Sequence, residues 1–141
     1  MAADEQSTPE AAGDTEPVLS AEHVSVDRGG TRVLSDVSMA VPPAARMLIR
    51  GPSGAGKTTL FRVLGLLEPP TEGQVLVRGT DAASLPERRR AALRRDHVGI
   101  VFQDFQLVPD LTARENVALP QQHGGGRDEG WIADLFTRLD I

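Results

Sequence analysis

Three features of this 141-residue sequence predict an α/β fold. MLIR, residues 47–50, is a short apolar strand that runs straight into a glycine-rich loop, GPSGAGKTT, and from there into a segment of helical period. VGIVF, residues 98–102, is a continuous apolar run of the kind that forms buried parallel strands. Around these two runs, stretches with the two-residue alternation of strands are interleaved with stretches that repeat every three to four residues.

Taken from the N-terminus, residues 1–17 (MAADEQSTPEAAGDTEP) carry five acids and no base, with little apolar content, which predicts a disordered acidic tail ahead of a folded unit over 18–141. VLSAEHVSV, from Val18, alternates as a strand does, and RGG at 28–30 is a turn leading into TRVL. SDVSMAV, 35–41, alternates again and stops at Pro42-Pro43. After the glycine-rich loop, TTLFRVLGLL sets Leu60, Phe61, Leu64 and Leu67 at helical spacing and ends in EPPTEG. QVLVRG is a strand and turn, followed by a loop to Leu85, and PERRRAALRR, 86–95, opens on proline and continues in good helix formers. In LTARENVALP, Thr112 stands three residues before Glu115, a capping box for a short helix that must stop near Pro120. QQHGGGRDEG is a flexible connector, and WIADLFTRLDI places Trp131, Leu135 and Leu139 along one side of a last amphipathic helix. There is no internal repeat.

Composition narrows the chemistry. With no cysteine, disulfides, zinc ribbons and thiol catalysis are excluded. The net charge of -5 resides in the tail: without its five acids, fifteen acids face fifteen bases, a balance that argues against a broad nucleic-acid-binding face, and the ERRRAALRR stretch reads as a solvated helix face. The longest apolar runs fall far short of the roughly 18 residues a spanning helix needs. The N-terminus has neither the basic start nor the apolar centre of a signal peptide. His23 and His97 have no partners at metal-ligand spacing.

The central loop decides between two chemistries. Gly51, Gly56, Lys57 and Thr58 satisfy the phosphate-loop pattern G-x-x-x-x-G-K-[ST], with a strand before and a helix after. The loop residues Gly51, Pro52, Ser53, Gly54, Ala55 and Gly56 let backbone N–H groups converge on a phosphate. Lys57 neutralises the β- and γ-phosphates, the Thr58 hydroxyl ligates Mg²⁺, and Thr59 continues the helix N-terminus. Lys57 is the only lysine among fifteen basic side chains, and its slim ammonium enters a small phosphate cavity where a guanidinium would crowd the backbone. The rival reading, an esterase turn G-x-S-x-G, needs glycine where Ala55 stands, and the HGGG at 123–126 follows the serine whereas an oxyanion-hole motif of that kind precedes it. By itself the loop leaves a small-molecule kinase or a GTPase open.

VLSDVSMAVPPAARMLIRGPSGAGKTTLFRVLGLLEPPTEGQVLVRG, 33–79, together with VGIVFQDFQLVPDLTARENVALP, 98–120, resembles the ATP-binding subunit of ABC transporters, within that superfamily the lipoprotein-release and macrolide-export type. The resemblance runs from Val18 to Ile141. It implies a P-loop NTPase with a RecA-like core and an antiparallel β-subdomain formed by 18–41, with ATP and Mg²⁺ as cofactors. It further implies that Gln103, following the apolar strand, is the Q-loop glutamine that ligates Mg²⁺ and orients the attacking water. The residues beyond it, with Phe105, Leu107, Val108 and Leu111, would meet a membrane permease subunit, about half of them packing on their own domain instead. Asp104 would suit a Walker B carboxylate only if it held the strand-end position that Gln103 occupies.

Two positions depart from the family pattern. Arg28 stands where an aromatic residue usually stacks on adenine, and Ala44-Ala45 replaces a Gly-Glu pair. No Ser-Gly-Gly-Gln signature, second apolar strand with its Asp-Glu pair or switch histidine occurs in these residues, so the resemblance implies an N-terminal portion of the subunit, ending before the signature helical region. A second ATP-binding subunit and the inner face of the cell membrane are the further expected associations. The expected activity is ATP hydrolysis coupled to transport, with hydrolysis deficient in this chain alone. The alternative is a non-hydrolysing nucleotide-binding module that docks on a permease.

Overall fold

The computed structural model describes residues 16–123 and 126–140, so the expected disordered tail lies outside the described residues except for Glu16 and Pro17. Strands β1 (Leu19–Arg28) and β2 (Thr31–Val41) form a hairpin, β3 (Glu72–Val77) lies on the other side of β1, and the two-residue β4 (Thr80–Asp81) pairs with β3. All pairings are antiparallel, giving the sheet order β2-β1-β3-β4. Helix α1 (Lys57–Leu64) packs on this sheet, α2 (Glu87–His97) follows, and α3 (Ala113–Ala118), a 3₁₀ turn (Pro120–His123) and α4 (Glu129–Leu139) complete the chain.

The hairpin follows directly from its residues. Gly29 and Gly30 both have positive φ, as a two-residue turn matched to strand twist demands, and Arg28 pairs with Thr31 across it. Alternation then buries one face: Ala21, Val24, Val26 and Leu34 close over Leu60, Val63 and Leu64 of α1, with Val75 and Val77 from β3. The register shifts between Ala21 and Val26, where His23 and Asp36 adopt positive φ and their side chains meet at 2.7 Å on the surface. Gly73 fits beneath this bulge only because it lacks a side chain: a Cβ there would lie 2.3 Å from the His23 carbonyl oxygen.

Helix α2 buries none of its residues fully, but Leu93 packs on the core and Arg94 Nη1 donates to the Leu66 carbonyl at 2.6 Å. The expected capping box at Thr112 and Glu115 forms, with the Glu115 side chain accepting from the Thr112 N–H at 2.8 Å. In α4, Asp128 caps the N-terminus through the Trp131 N–H, and Ile132 is buried while Trp131 and Leu139 remain exposed. No helix among the described residues is long and apolar enough to cross a membrane.

Two sequence expectations are corrected. Residues 47–50 and 98–102 are not strands: neither pairs with another segment in the sheet, and Leu48 is 71% and Val101 92% exposed. An apolar run becomes a buried strand only where a ladder satisfies its backbone groups and a second layer covers its side chains. The described sheet, all antiparallel and closed on β2 and β4, supplies neither. The segment expected as a loop before Leu85 in turn contributes the short β4.

Gly73→Ala should destabilise the chain by about 2–4 kcal/mol in urea unfolding, because it combines a disfavoured φ with a backbone clash. Gly29→Ala, with a similar φ but open space around it, should cost about 1 kcal/mol.

Candidate functional site

The site grows from the junction between β2 and α1. Gly56 caps α1 in the left-handed conformation with φ 80°, and Gly54 before it has φ 81°. The turn is closed by the Ala55 N–H donating to Pro52 at 3.3 Å. The first intrahelical bond runs from the Leu60 N–H to the Gly56 carbonyl at 2.8 Å, so the N–H groups of Lys57, Thr58 and Thr59 have no acceptor within the helix. A Cβ on Gly56 would lie 2.6 Å from Leu34 Cδ2 and 3.0 Å from the Val33 carbonyl oxygen. Glycine thus allows β2 to press directly on the loop.

Against this junction lies a cavity of about 330 Å³ lined by Val33, Ser53, Gly54, Gly56, Lys57, Thr58 and Thr59. Lys57 Nζ donates to the carbonyls of Gly51 at 2.8 Å and Pro52 at 2.6 Å, which spans the loop with a cation. An ammonium has three donors, so one remains for a ligand. No carboxylate is among the lining residues. Free N–H groups, the positive end of a helix and one ammonium make this a cavity for an anion. Thr58 is exposed at the rim and Thr59 is buried beneath it.

The predicted site residues are only partly assembled. Of the loop residues, Ser53, Gly54 and Gly56–Thr59 line the cavity, and the Gly51 and Pro52 carbonyls accept from Lys57 Nζ. Gln103 is exposed on the segment after Val98 and is not among the lining residues, and Asp104 is likewise exposed. Arg28 emerges from the end of β1 and donates to Glu68 Oε1 at 2.5 Å, while Arg62 of α1 donates to Oε2 at 2.9 Å. Phe105 is 92% exposed, whereas Leu107, Val108 and Leu111 line a groove of about 400 Å³ with Phe136.

Sequence reasoning missed two organising residues. Asn116 accepts from the Val108 N–H at 2.8 Å and donates to the carbonyls of Leu111 and Thr112, each at 3.0 Å, and so ties the 107–112 loop to α3. Glu68 joins sheet to helix. Its only sequence signal is an acid placed between a helix end and Pro69-Pro70.

Comparison with known proteins places this geometry. A family model described as ABC transporter matches residues 34–141. The chain belongs to the ABC transporter family. It is 47% identical over 111 residues to the lipoprotein-releasing system ATP-binding protein LolD of Bordetella pertussis, covering 76% of this chain and 48% of that one. The macrolide export ATP-binding/permease protein MacB of Sodalis glossinidius is 44% identical over 88 residues, 62% of this chain and 14% of that protein. An ATP-binding cassette solved as a dimer in a post-hydrolysis state bound to ADP and Pi superposes with a TM-score of 0.71 at 34% identity, over 79% of this chain and 50% of that one. The ABC cassette fold is therefore the fold of this chain, which spans about half the length of the LolD relatives it matches.

Within this ABC chain the Glu68 bridge has a pH signature. Burial opposes ionisation of Glu68, but the hydrogen bonds and charges of Arg62 and Arg28 outweigh it and hold the carboxyl below its ordinary value of 4.5. A lowered folded-state value means that the bridge contributes its full stability above the unfolded value and loses it as pH falls through the folded one. The melting-temperature difference between wild type and Glu68→Gln should thus be largest near neutrality and shrink as pH falls below about 4.5, which thermal melts across pH will check. Gly56→Ala should weaken binding of inorganic tripolyphosphate by about tenfold or more in calorimetry, since strain and the Leu34 contact both displace the loop.

Proposed function

We propose that this chain is the ATP-binding part of an ABC transport ATPase, holding Mg-ATP by its phosphate loop and acting with a membrane permease partner. One observation carries the reading: the loop from Gly51 to Thr59 offers unpaired backbone N–H groups and the Lys57 ammonium to a single small cavity that no carboxylate lines. The names of its relatives, an ATP-binding protein of lipoprotein release and an export ATP-binding/permease protein, support transport as the process served.

Thr58 fits the expected metal. Its hydroxyl at the cavity rim is a hard oxygen donor of the kind Mg²⁺ takes, whereas Gln103, the second donor expected from the sequence, lies outside the cavity lining and would hold the metal only if brought to it. Mg²⁺, when bound, neutralises charge on the phosphates. The chain's own residues do the rest: the loop N–H groups orient the phosphates, Lys57 spends its third donor on a phosphate oxygen, and Arg28 contacts the base. The permease would seat on the groove beside Leu107, Val108 and Leu111, which puts the chain peripherally at the inner membrane face, and a second ATP-binding subunit would pair with it.

A second reading, binding without turnover, is favoured by the position of Gln103 away from the cavity lining. In that reading these 141 residues bind nucleotide and position it, but do not activate water. Mg-ATP at about a hundredfold excess over its Kd should raise the melting temperature by on the order of 5–10 °C, and Lys57→Ala should abolish the shift. Sustained phosphate release by wild type that disappears in Lys57→Ala would decide for an ATPase over the binding module.

A further inference from the structure

Away from the phosphate loop, a cavity of about 360 Å³ opens where the sheet ends beside the C-terminus of α2. Val41, Leu19 and Val77 are cross-strand partners at the ends of β2, β1 and β3, so their side chains form one apolar row on a single face of the sheet. Val98, the first residue after α2, joins this row and packs on the core as Leu19 does. The polar side chains at the cavity are those of Arg78 and His97, both exposed, and no carboxylate lines it. Asp96, next to His97, is taken by Arg95 at 2.8 Å, and Glu16, which stands against Gly79, lines a different cavity. Among the described residues neither Arg78 nor His97 has an ion-pair partner. The C-terminal end of α2 brings a partial negative charge of about half a unit, against the full positive charge of Arg78.

The backbone at Arg78 works against an arginine. Arg78 and Gly79 form the two-residue turn between β3 and β4, where Val77 pairs with Thr80, and both have positive φ, 47° and 75°. Asn, Asp and Gly adopt that conformation readily in such a turn, and a long side chain does not. The Arg78 N–H donates to the Val18 carbonyl at 3.2 Å, which fixes the turn to the strand beside the cavity. Local folding therefore gains nothing from the guanidinium, and its use lies in what the cavity takes. A planar fork and an imidazole N–H over an apolar floor match a carboxylate joined to an apolar body, with the fork bonding both oxygens. We propose that this cavity is a further ligand site for a compact carboxylate with an aliphatic or aromatic body: Arg78 and His97 hold the carboxylate, and the row Val41, Leu19 and Val77 holds the body. The site stands apart from the phosphate loop, since the two cavities share no lining residue.

The test is NMR titration of the isotope-labelled full chain with octanoate and with N-acetyl-leucine, which present this chemistry as a free acid and as a peptide terminus. The tighter of the two names the source. A Kd of about 1 mM or tighter is expected, the affinity that about ten heavy atoms can supply, with the largest shifts at the amides of Val41, Val77 and Val98. Octanol, a body without the carboxylate, and acetate, the carboxylate without a body, should each bind about tenfold more weakly or worse. Arg78→Asn suits the turn, so it should keep or raise the melting temperature and yet weaken the tighter acid about tenfold or more, while Arg78→Lys should retain part of the affinity. Magnesium with inorganic tripolyphosphate should leave acid binding unchanged. No binding of either acid at about 10 mM overturns the proposal, as does octanol binding equal to octanoate or full affinity in Arg78→Asn. Competition by tripolyphosphate overturns it too, because the carboxylate would then sit on the phosphate loop.

Discussion

The arrangement depends on the contact of β2 with the loop at Gly56. Leu34 and the Val33 carbonyl come so close to this residue that no side chain fits, and the left-handed backbone turns the start of α1 toward the cavity. This single contact joins the hydrophobic core to the anion site, because Leu34 belongs to both: it packs with Leu60 and Val63 and also backs the loop. Burial of the sheet face thereby sets where the free N–H groups point. A loop with the same residues but no sheet behind it would have the donors without the direction.

How much of this was legible follows from how local each feature is. The hairpin is written in alternation and in Gly29-Gly30, the helix α3 in its capping box, and the phosphate loop in nine contiguous residues, so each could be read without knowing what lies across the fold. The apolar runs 47–50 and 98–102 could not. Their composition specifies burial, but burial requires neighbouring strands, and the described sheet ends at β2 and β4 without reaching them. Met47, Leu48, Ile49, Val101 and Phe102 are consequently exposed, an apolar surface larger than isolated side chains would leave. The expectation that Gln103 reaches the metal fails to be assembled here for the same reason: its place in the site depends on the strand that would precede it.

Pairwise tertiary contacts were the other blind spot. Arg28 is recognisable by its position beside the turn, yet nothing local reveals that Glu68, forty residues on, takes its guanidinium. Asn116 is similar: its amide bonds four backbone groups of the preceding loop, and a lone asparagine in a short helix gives no hint of that. Side chains that organise a site through other side chains have no spacing rule, so a single sequence carries little trace of them.

Besides the core packing between them, the β1–β2 hairpin meets the two ends of α1, through Leu34 at the loop that starts the helix and through Arg28 and Glu68 beyond its end. The first contact is steric and apolar and does not respond to pH or salt. The second is a partly exposed ionic bridge, weakened by screening and by acid. The start of α1 is thus held by a rigid contact, and the segment after its end by one that salt and acid adjust.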